Sequence, residues 1–331
     1  MNFNLSKKIL SWYDNNKRIL PWRVGKNSPK KLYYRLLSEF MLQQTQVKTV
    51  IPYFKKFTKK YKTLKLFSKS NEKKILKLWE GLGYYRRARN LLATSKILVL
   101  KYNSKLPRSF KEIKTLPGVG DYTANALLGL VHNKPAIAID GNVKRVFSRI
   151  LNKKESKINF DEFIEINKKK LFNSKRNSDF VEALMEFGAL VCKPKDPICS
   201  ICNLNKNCKY FKSSRKIKTT KYKMTENKNY DVFCYVNKKG QIALTKKNNL
   251  GFLNQFSLPE IKEANKNLRT RDWKFLKKYK NSISNKKLNI NLYYKFSNKI
   301  PSSFVWHSMD QNKELIPTFT KKIFRQVSTL F

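Results

Sequence analysis

Glycine is scarce in this chain, ten in 331 residues, so the place of each one is informative. Cysteine is scarcer still, with five, too few for the disulfide framework that staples small secreted domains. Acidic residues number 22 against 72 basic ones, a net charge of +50. No apolar run approaches the ~18 residues that a membrane span requires, so no membrane partner is expected. The first residues, Met-Asn-Phe-Asn-Leu-Ser-Lys-Lys, lack the apolar segment of a cleaved secretory signal. What remains is ample for a core: 41% of residues are hydrophobic and 13% aromatic. The length suggests two domains.

The positive excess has two readings. It is the electrostatic footprint of a protein that binds nucleic acid. It also follows from A/T-rich codons, because lysine far outnumbers arginine, asparagine is abundant, and the excess runs through both halves. Charge permits a polyanionic partner without identifying one.

Residues 1–212 show apolar positions at i, i+3 and i+4 in several segments and no convincing period of two, which predicts helices almost throughout. Ser109 and Glu112 form a capping box. Pro117 and Gly118 stop the short helix it opens, and a second helix is expected from about Thr123 to Val131. Residues 213–229 are rich in Lys, Ser, Thr and Asn and read as a linker. Beyond it, Tyr230, Val232, Cys234 and Val236 alternate, Lys238-Lys239-Gly240 turns, and Ile242 and Leu244 alternate again, a β-hairpin. Leu288, Ile290 and Leu292 mark another strand. The second domain, 230–331, is therefore α+β, and no internal repeat is visible.

Cys192, Cys199, Cys202 and Cys208 are spaced C-x6-C-x2-C-x5-C, so one loop can wrap a single small centre. Four thiolates suit zinc or an iron–sulfur cluster, and the spacing does not choose. A thiol cluster fits the reducing cytosol, so a cytoplasmic protein is expected. Glu39 lies one turn before Gln43, beside Leu36 and Phe40. Held against an apolar face, its carboxyl becomes a general acid near neutrality; as an ordinary surface residue it snorkels to water. Pro117-Gly118-Val119-Gly120 is either a plain turn or a hairpin whose free N–H groups suit a phosphate. Asp140 is placed to cap the helix of Val143, Val146 and Phe147, where it stays ionised and faces solvent or substrate. Tyr84 and Tyr85 precede Arg86, Arg87 and Arg89, an aromatic–basic group suited either to stacking on bases or to packing in a core.

Taken in order, Leu20-Pro21-Trp22-Arg23, Glu39 through Val47, Gly81 through Tyr85, Leu116 through Gly120, Asp140 through Arg145 and the four cysteines resemble the MutY-type adenine DNA glycosylases. That family lies within the helix-hairpin-helix superfamily that includes endonuclease III. The resemblance spans most of residues 10–210. It implies a mainly α helix-hairpin-helix glycosylase core over 1–212 with an iron–sulfur loop at 192–208. It also implies a Nudix-like α+β domain over 230–331 that reads 8-oxoguanine.

The resemblance further implies one 4Fe–4S cluster on the four cysteines, and a hairpin at Gly118 and Gly120 that grips the DNA backbone. Glu39 would protonate adenine N7 and later activate water, and Asp140 would stabilise the cationic sugar. Trp22, Arg23 and Glu186 would line the base pocket, with Tyr122 and Asn142 near the sugar. Gln44 and Tyr84 would enter the duplex. Lys144 would lie against the DNA, available for incidental Schiff-base chemistry. Ser284, within Ile283-Ser284-Asn285 where the family has Phe-Ser-His, would contact the lesion, with Phe296-Ser297-Asn298 as a rival alignment. The implied substrate is double-stranded DNA with adenine opposite 8-oxoguanine or guanine, acted on by a monomer. No Arg-Glu-x-x-Glu-Glu run is present, so nucleotide hydrolysis by the second domain is not expected. Two alternatives stand beside this reading. A bifunctional endonuclease III-type lyase would need a lysine where Tyr122 stands. A non-catalytic iron–sulfur DNA-binding protein would need neither Glu39 nor Asp140.

Overall fold

The computed structural model describes residues 3–331 except 173, 215–216, 218–225, 248–255, 265–271, 284–285 and 309–315. The chain divides into two units, Met1–Thr220 and Lys221–Phe331.

The first unit is helical: α1 (Leu5–Asn16), α2 (Lys31–Leu42), α3 (Val47–Lys60), α4 (Leu64–Ser68), α5 (Glu72–Trp79), α6 (Arg86–Lys101), α7 (Phe110–Lys114), α8 (Asp121–His132), α9 (Gly141–Leu151), α10 (Phe160–Leu171), α11 (Asn177–Leu190) and α12 (Lys209–Lys212). Local chemistry sets many of their ends. The side chains of Asn4, Thr63, Asn71, Ser109, Asp140 and Asn159 each accept a backbone N–H at a helix start. Asn133 and Asn152 take left-handed conformations that end α8 and α9. Among the described residues no helix is long and apolar enough to cross a membrane.

The helices pack in two groups. The first, α2 to α8, buries Leu36, Phe40, Phe54, Phe57, Phe67 and Trp79. Here the Phe57 ring meets Trp79 edge-on at 5.8 Å. In the second, α1 packs with α9, α10 and α11 around Ile9, Trp12, Phe147, Leu184 and Phe187. Each such side chain stabilises the fold by about 1.5–3 kcal/mol when fully buried. Helices α8 and α11 join the groups, so α2, the start of α8 and the start of α9 converge on one region.

The second unit is a mixed sheet of β1 (Glu226–Val236), β2 (Ile242–Thr245), β3 (Glu260–Glu263), β4 (Lys274–Ile283), β5 (Lys286–Phe296) and β6 (Phe304–His307), with helix α13 (Thr318–Val327). The strand order is β4-β5-β1-β2-β6, with β3 also paired to β1. Strands β1 and β5 run parallel, with Val232 opposite Leu292, and the others pair antiparallel. The expected hairpin is β1–β2, turned at Gly240 (φ 69°), and Cys234 is buried in its first strand. Strand β1 begins at Glu226, inside the segment read as linker, because Glu226 and the next three residues pair with the start of β5. Gly251 and the residues around it lie outside the described residues.

Candidate active site

Glu39 sits on α2 among Leu36, Leu37, Phe40 and Met41 and is 6% exposed, so it does not snorkel to water. Burial pushes its carboxyl up to about 7, against the opposing pull of the Arg35 guanidinium. A carboxyl so placed carries its proton near neutral pH and can give it away. The Tyr122 hydroxyl, on α8, faces it within hydrogen-bonding reach and also lies 3.5 Å from Met185 Sδ. Burial and the carboxylates of Glu39 and Asp140 raise the Tyr122 phenol well above its ordinary value, so it remains a donor.

Asp140 caps α9, accepting the Val143 N–H at 2.7 Å and Asn142 Nδ2–H at 2.8 Å. Its side chain is half-buried. Burial raises this carboxyl above its usual range, while the two hydrogen bonds and Arg145 favour the ionised form. The carboxylate is thus half-buried and held in a fixed orientation. Arg145 donates to Asn142 Oδ1 at 2.8 Å, which turns the Asn142 amide N–H toward Asp140. Gly188 makes room for this, since a Cβ there would lie 2.7 Å from Asn142 Cβ.

The expected base-pocket residues form part of a buried ion network. Glu186 on α11 pairs with Arg18 (2.7 Å) and Arg23 (3.0 Å). Arg23 also pairs with Glu182 (2.6 Å), which takes both Nη groups of Arg35 (2.7 and 3.0 Å) and the Tyr13 hydroxyl (2.9 Å). Trp22 is 3% exposed and packs edge-on against Phe54.

Three short segments meet at the end of α2. The hairpin between α7 and α8 turns at Gly118 (φ 75°), where a Cβ would strike the Asn90 side chain at 2.6 Å. Gly120 precedes the first residue of α8. Gln43 reaches the hairpin, with Nε2 3.3 Å from Thr123 Oγ1 and 3.5 Å from the Gly118 carbonyl. Its neighbour Gln44 is exposed with φ 58°, and Tyr84 is 40% exposed with φ 48°. Both residues hold a left-handed backbone conformation that L-residues resist.

The four cysteines line one cavity together with Arg149, Tyr210 and Phe211. Arg149 fastens the loop to α9, donating to the Lys193 carbonyl (2.6 Å), the Pro194 carbonyl (3.0 Å) and Cys192 Sγ (3.3 Å). Among the described residues no three His, Cys, Asp or Glu side chains converge closely enough to hold one metal ion.

Lys144 lies over the Phe160 ring at 5.8 Å. Ser284 and Asn285 lie outside the described residues. Sequence reasoning missed Arg18, Arg35, Glu182, Arg145 and Arg149. The available signal was a charge inside an apolar stripe: Arg35 one turn before Glu39, and Glu182 one turn before Glu186.

Residues 37–169 match the family described as HhH-GPD superfamily base excision DNA repair protein, a span that includes Glu39, the hairpin and Asp140. The adenine DNA glycosylase of Buchnera aphidicola subsp. Baizongia pistaciae is 33% identical over 340 residues, covering 96% of this chain and 95% of its own. The human adenine DNA glycosylase is 36% identical over 208 residues, covering 61% of this chain and 38% of its own. Among solved structures, a thermostable thymine-DNA glycosylase shares 30% identity at a TM-score of 0.55, over 62% of this chain and 94% of that one. With a relative matched along nearly its whole length, helical unit and sheet alike, this chain belongs to the adenine DNA glycosylase family.

Proposed function

We propose that this protein removes adenine from duplex DNA by hydrolysing its N-glycosidic bond, in base excision repair, and that its substrates carry adenine opposite 8-oxoguanine or guanine. The observation that carries the reading is the buried Glu39 carboxyl, poised near pH 7 between Tyr122 and Asp140.

Adenine leaves a deoxyribose slowly until a ring nitrogen is protonated, and its departure leaves an oxocarbenium-like sugar. The base is first extruded from the stack. Glu39 then gives its proton to N7 of the flipped adenine, a step worth about 10²–10⁴ in rate for a positioned acid. Asp140 then stabilises the cationic sugar as a carboxylate whose orientation is supported by the Asn142 amide and the Val143 N–H. The Glu39 carboxylate so formed takes a proton from the attacking water. Tyr122, the second residue of α8, supplies no amine, so no Schiff base forms there and no strand break accompanies excision. Arg23 and Glu186 border the base pocket. Gln44 and Tyr84, already in strained conformations, enter the duplex while the hairpin at Gly118 and Gly120 holds the backbone.

The four cysteines would hold one 4Fe–4S cluster. All four thiols line one cavity, a donor set that suits a group taking one thiolate per iron. When bound, the cluster cross-links the loop of residues 192–208. The second unit would be the Nudix-like reader of 8-oxoguanine, and Ser284, between β4 and β5 in sequence, its lesion contact.

The test is excision from duplexes carrying adenine opposite 8-oxoguanine, guanine or thymine, each followed by alkali. Alkali-dependent breaks at the first two and few at the third support the reading. A break without alkali, trapped by borohydride, supports a lyase instead.

A further inference from the structure

Arg35 and Glu39 stand four residues apart on α2, so they are neighbours on one face, and both are 6% exposed. Two forked hydrogen bonds tie the Arg35 guanidinium to Glu182 of α11. Glu182 is itself shared with Arg23 and Tyr13, so it cannot follow Arg35 if that side chain moves. The Arg35 Nε–H is buried and has no hydrogen-bond partner among the described residues.

We propose that Arg35, clamped by Glu182, is a positioning residue for catalysis: it holds a fixed positive charge one helical turn behind Glu39 and sets how readily that carboxyl parts with its proton. The proposal rests on Glu39 being the acid. An unassisted carboxyl in this apolar setting would hold its proton too firmly to donate it to adenine, and would activate water poorly once ionised. A free cation at the same distance would strip the proton before substrate arrives. Pairing with Glu182 keeps the cation in place and attenuates it.

The charged and titratable groups around Glu39 are Arg35 on its own helix, Tyr122 on α8, Asp140 at the start of α9 and Glu182 on α11. Those around Arg35 are Glu182, Glu39, Tyr13 on α1 and Lys31 one turn earlier. Burial raises the Glu39 carboxyl; Arg35 opposes that rise, and Glu182 and Asp140 add to it. Burial also acts to raise Glu182, but Arg35 and Arg23 overcome it and hold Glu182 well below the usual carboxylate range. Glu182 therefore stays a carboxylate across the working range, and the clamp does not titrate.

The experiment is the pH profile of single-turnover adenine excision by the full chain, in wild type, Arg35→Met, Arg35→Lys and Glu182→Gln. Excision needs protonated Glu39, so the rate falls on the alkaline side as that group ionises. Arg35→Met removes the cation and should move this limb up by about one pH unit, and Arg35→Lys should bring it back. Glu182→Gln leaves the cation and removes its clamp, so the limb should move down by about as much. A merely structural role lowers rates without moving the limb in opposite directions. Should Arg35→Met not fold by circular dichroism, the Glu182→Gln profile decides, and an unmoved limb there overturns the proposal. Glu39→Gln, run in parallel, keeps the two readings apart. If it excises at the wild-type rate, Glu39 is not the acid; if it is inactive while the limbs stay fixed, only the role of Arg35 fails.

Discussion

Arg87 and Gln43 are joined by a hydrogen bond from the Arg87 guanidinium to the Gln43 carbonyl, and the same guanidinium reaches the Gly83 carbonyl at 3.1 Å. Gln43 and Gly83 are the residues before Gln44 and Tyr84, the two strained residues proposed to enter DNA. The guanidinium also binds the carbonyls of Phe40, Met41 and Leu82 and lies between the rings of Trp79 and Tyr84. One buried cation thus ties the end of α2 to the turn before α6. Replacing it with Met removes one donor from each of these carbonyls, although Gly83 keeps the Trp79 Nε1–H at 2.9 Å. Arg87→Met should lower stability by about 2–4 kcal/mol in urea unfolding and weaken mispair binding in parallel.

Backbone strain at Gln44 gives a sharper comparison. A left-handed conformation costs an L-residue about 1–2 kcal/mol that glycine avoids. Gln44→Gly should therefore be more stable than Gln44→Ala by about 1 kcal/mol, while both bind mispaired duplex more weakly than wild type. Equal stabilities would show that the loop relaxes freely, and the strain would carry no function.

Burial of Glu39 has a cost that pH reveals. Its folded value, about 7, lies above the ordinary 4.5, so the folded protein holds this proton more tightly than the unfolded chain does. Stability from this group is full below about 4.5 and is lost as pH rises through about 7. Glu39→Gln removes the ionisation. It should be more stable than wild type at pH 8, by up to the order of 3 kcal/mol, and the gap should close toward pH 5. Thermal unfolding at both pH values checks this; a constant gap would point to packing instead.

Much of the first unit was legible because its signals are local. Cysteine spacing and the Pro117–Gly120 segment mark turns, and Ser109 and Asp140 cap helices through contacts three residues away. What was missed spans long separations. Arg35 meets Glu182 across 147 residues, and each alone looks like a surface charge. In the second unit, a register shift between Phe275 and Lys277 breaks the period of two in β4, so that strand escaped notice. Parallel pairing of β1 with β5 leaves no local mark either. Helix α13 did carry a pattern, Phe319, Ile323, Phe324 and Val327, but it went unread behind the strand signals.

The cluster reading predicts a yellow-brown protein with about four irons per chain when prepared without oxygen. Cys199→Ser should reduce soluble yield and DNA affinity. Stoichiometric zinc in a colourless protein would replace the cluster with a single ion.

If the sheet unit reads the lesion, a protein ending at Thr220 should still excise adenine but lose preference for 8-oxoguanine over guanine opposite it. Lost contacts of about 1–3 kcal/mol correspond to roughly ten- to hundredfold discrimination. Full preference in the shortened protein would move lesion reading into the helical unit. Ser284→Ala in the full chain should reproduce part of the loss, and Ser297→Ala should not.

The central claim is that a buried acid and a separate, oriented carboxylate divide the chemistry. Single-turnover excision of adenine opposite 8-oxoguanine tests it most directly, in wild type, Glu39→Gln and Asp140→Asn, with duplex binding measured alongside. Each variant should bind the mispair while its excision rate falls by about a hundredfold or more, as expected for loss of a positioned acid or of charge stabilisation. Excision by Glu39→Gln within a few-fold of wild type, with binding intact, would contradict the account.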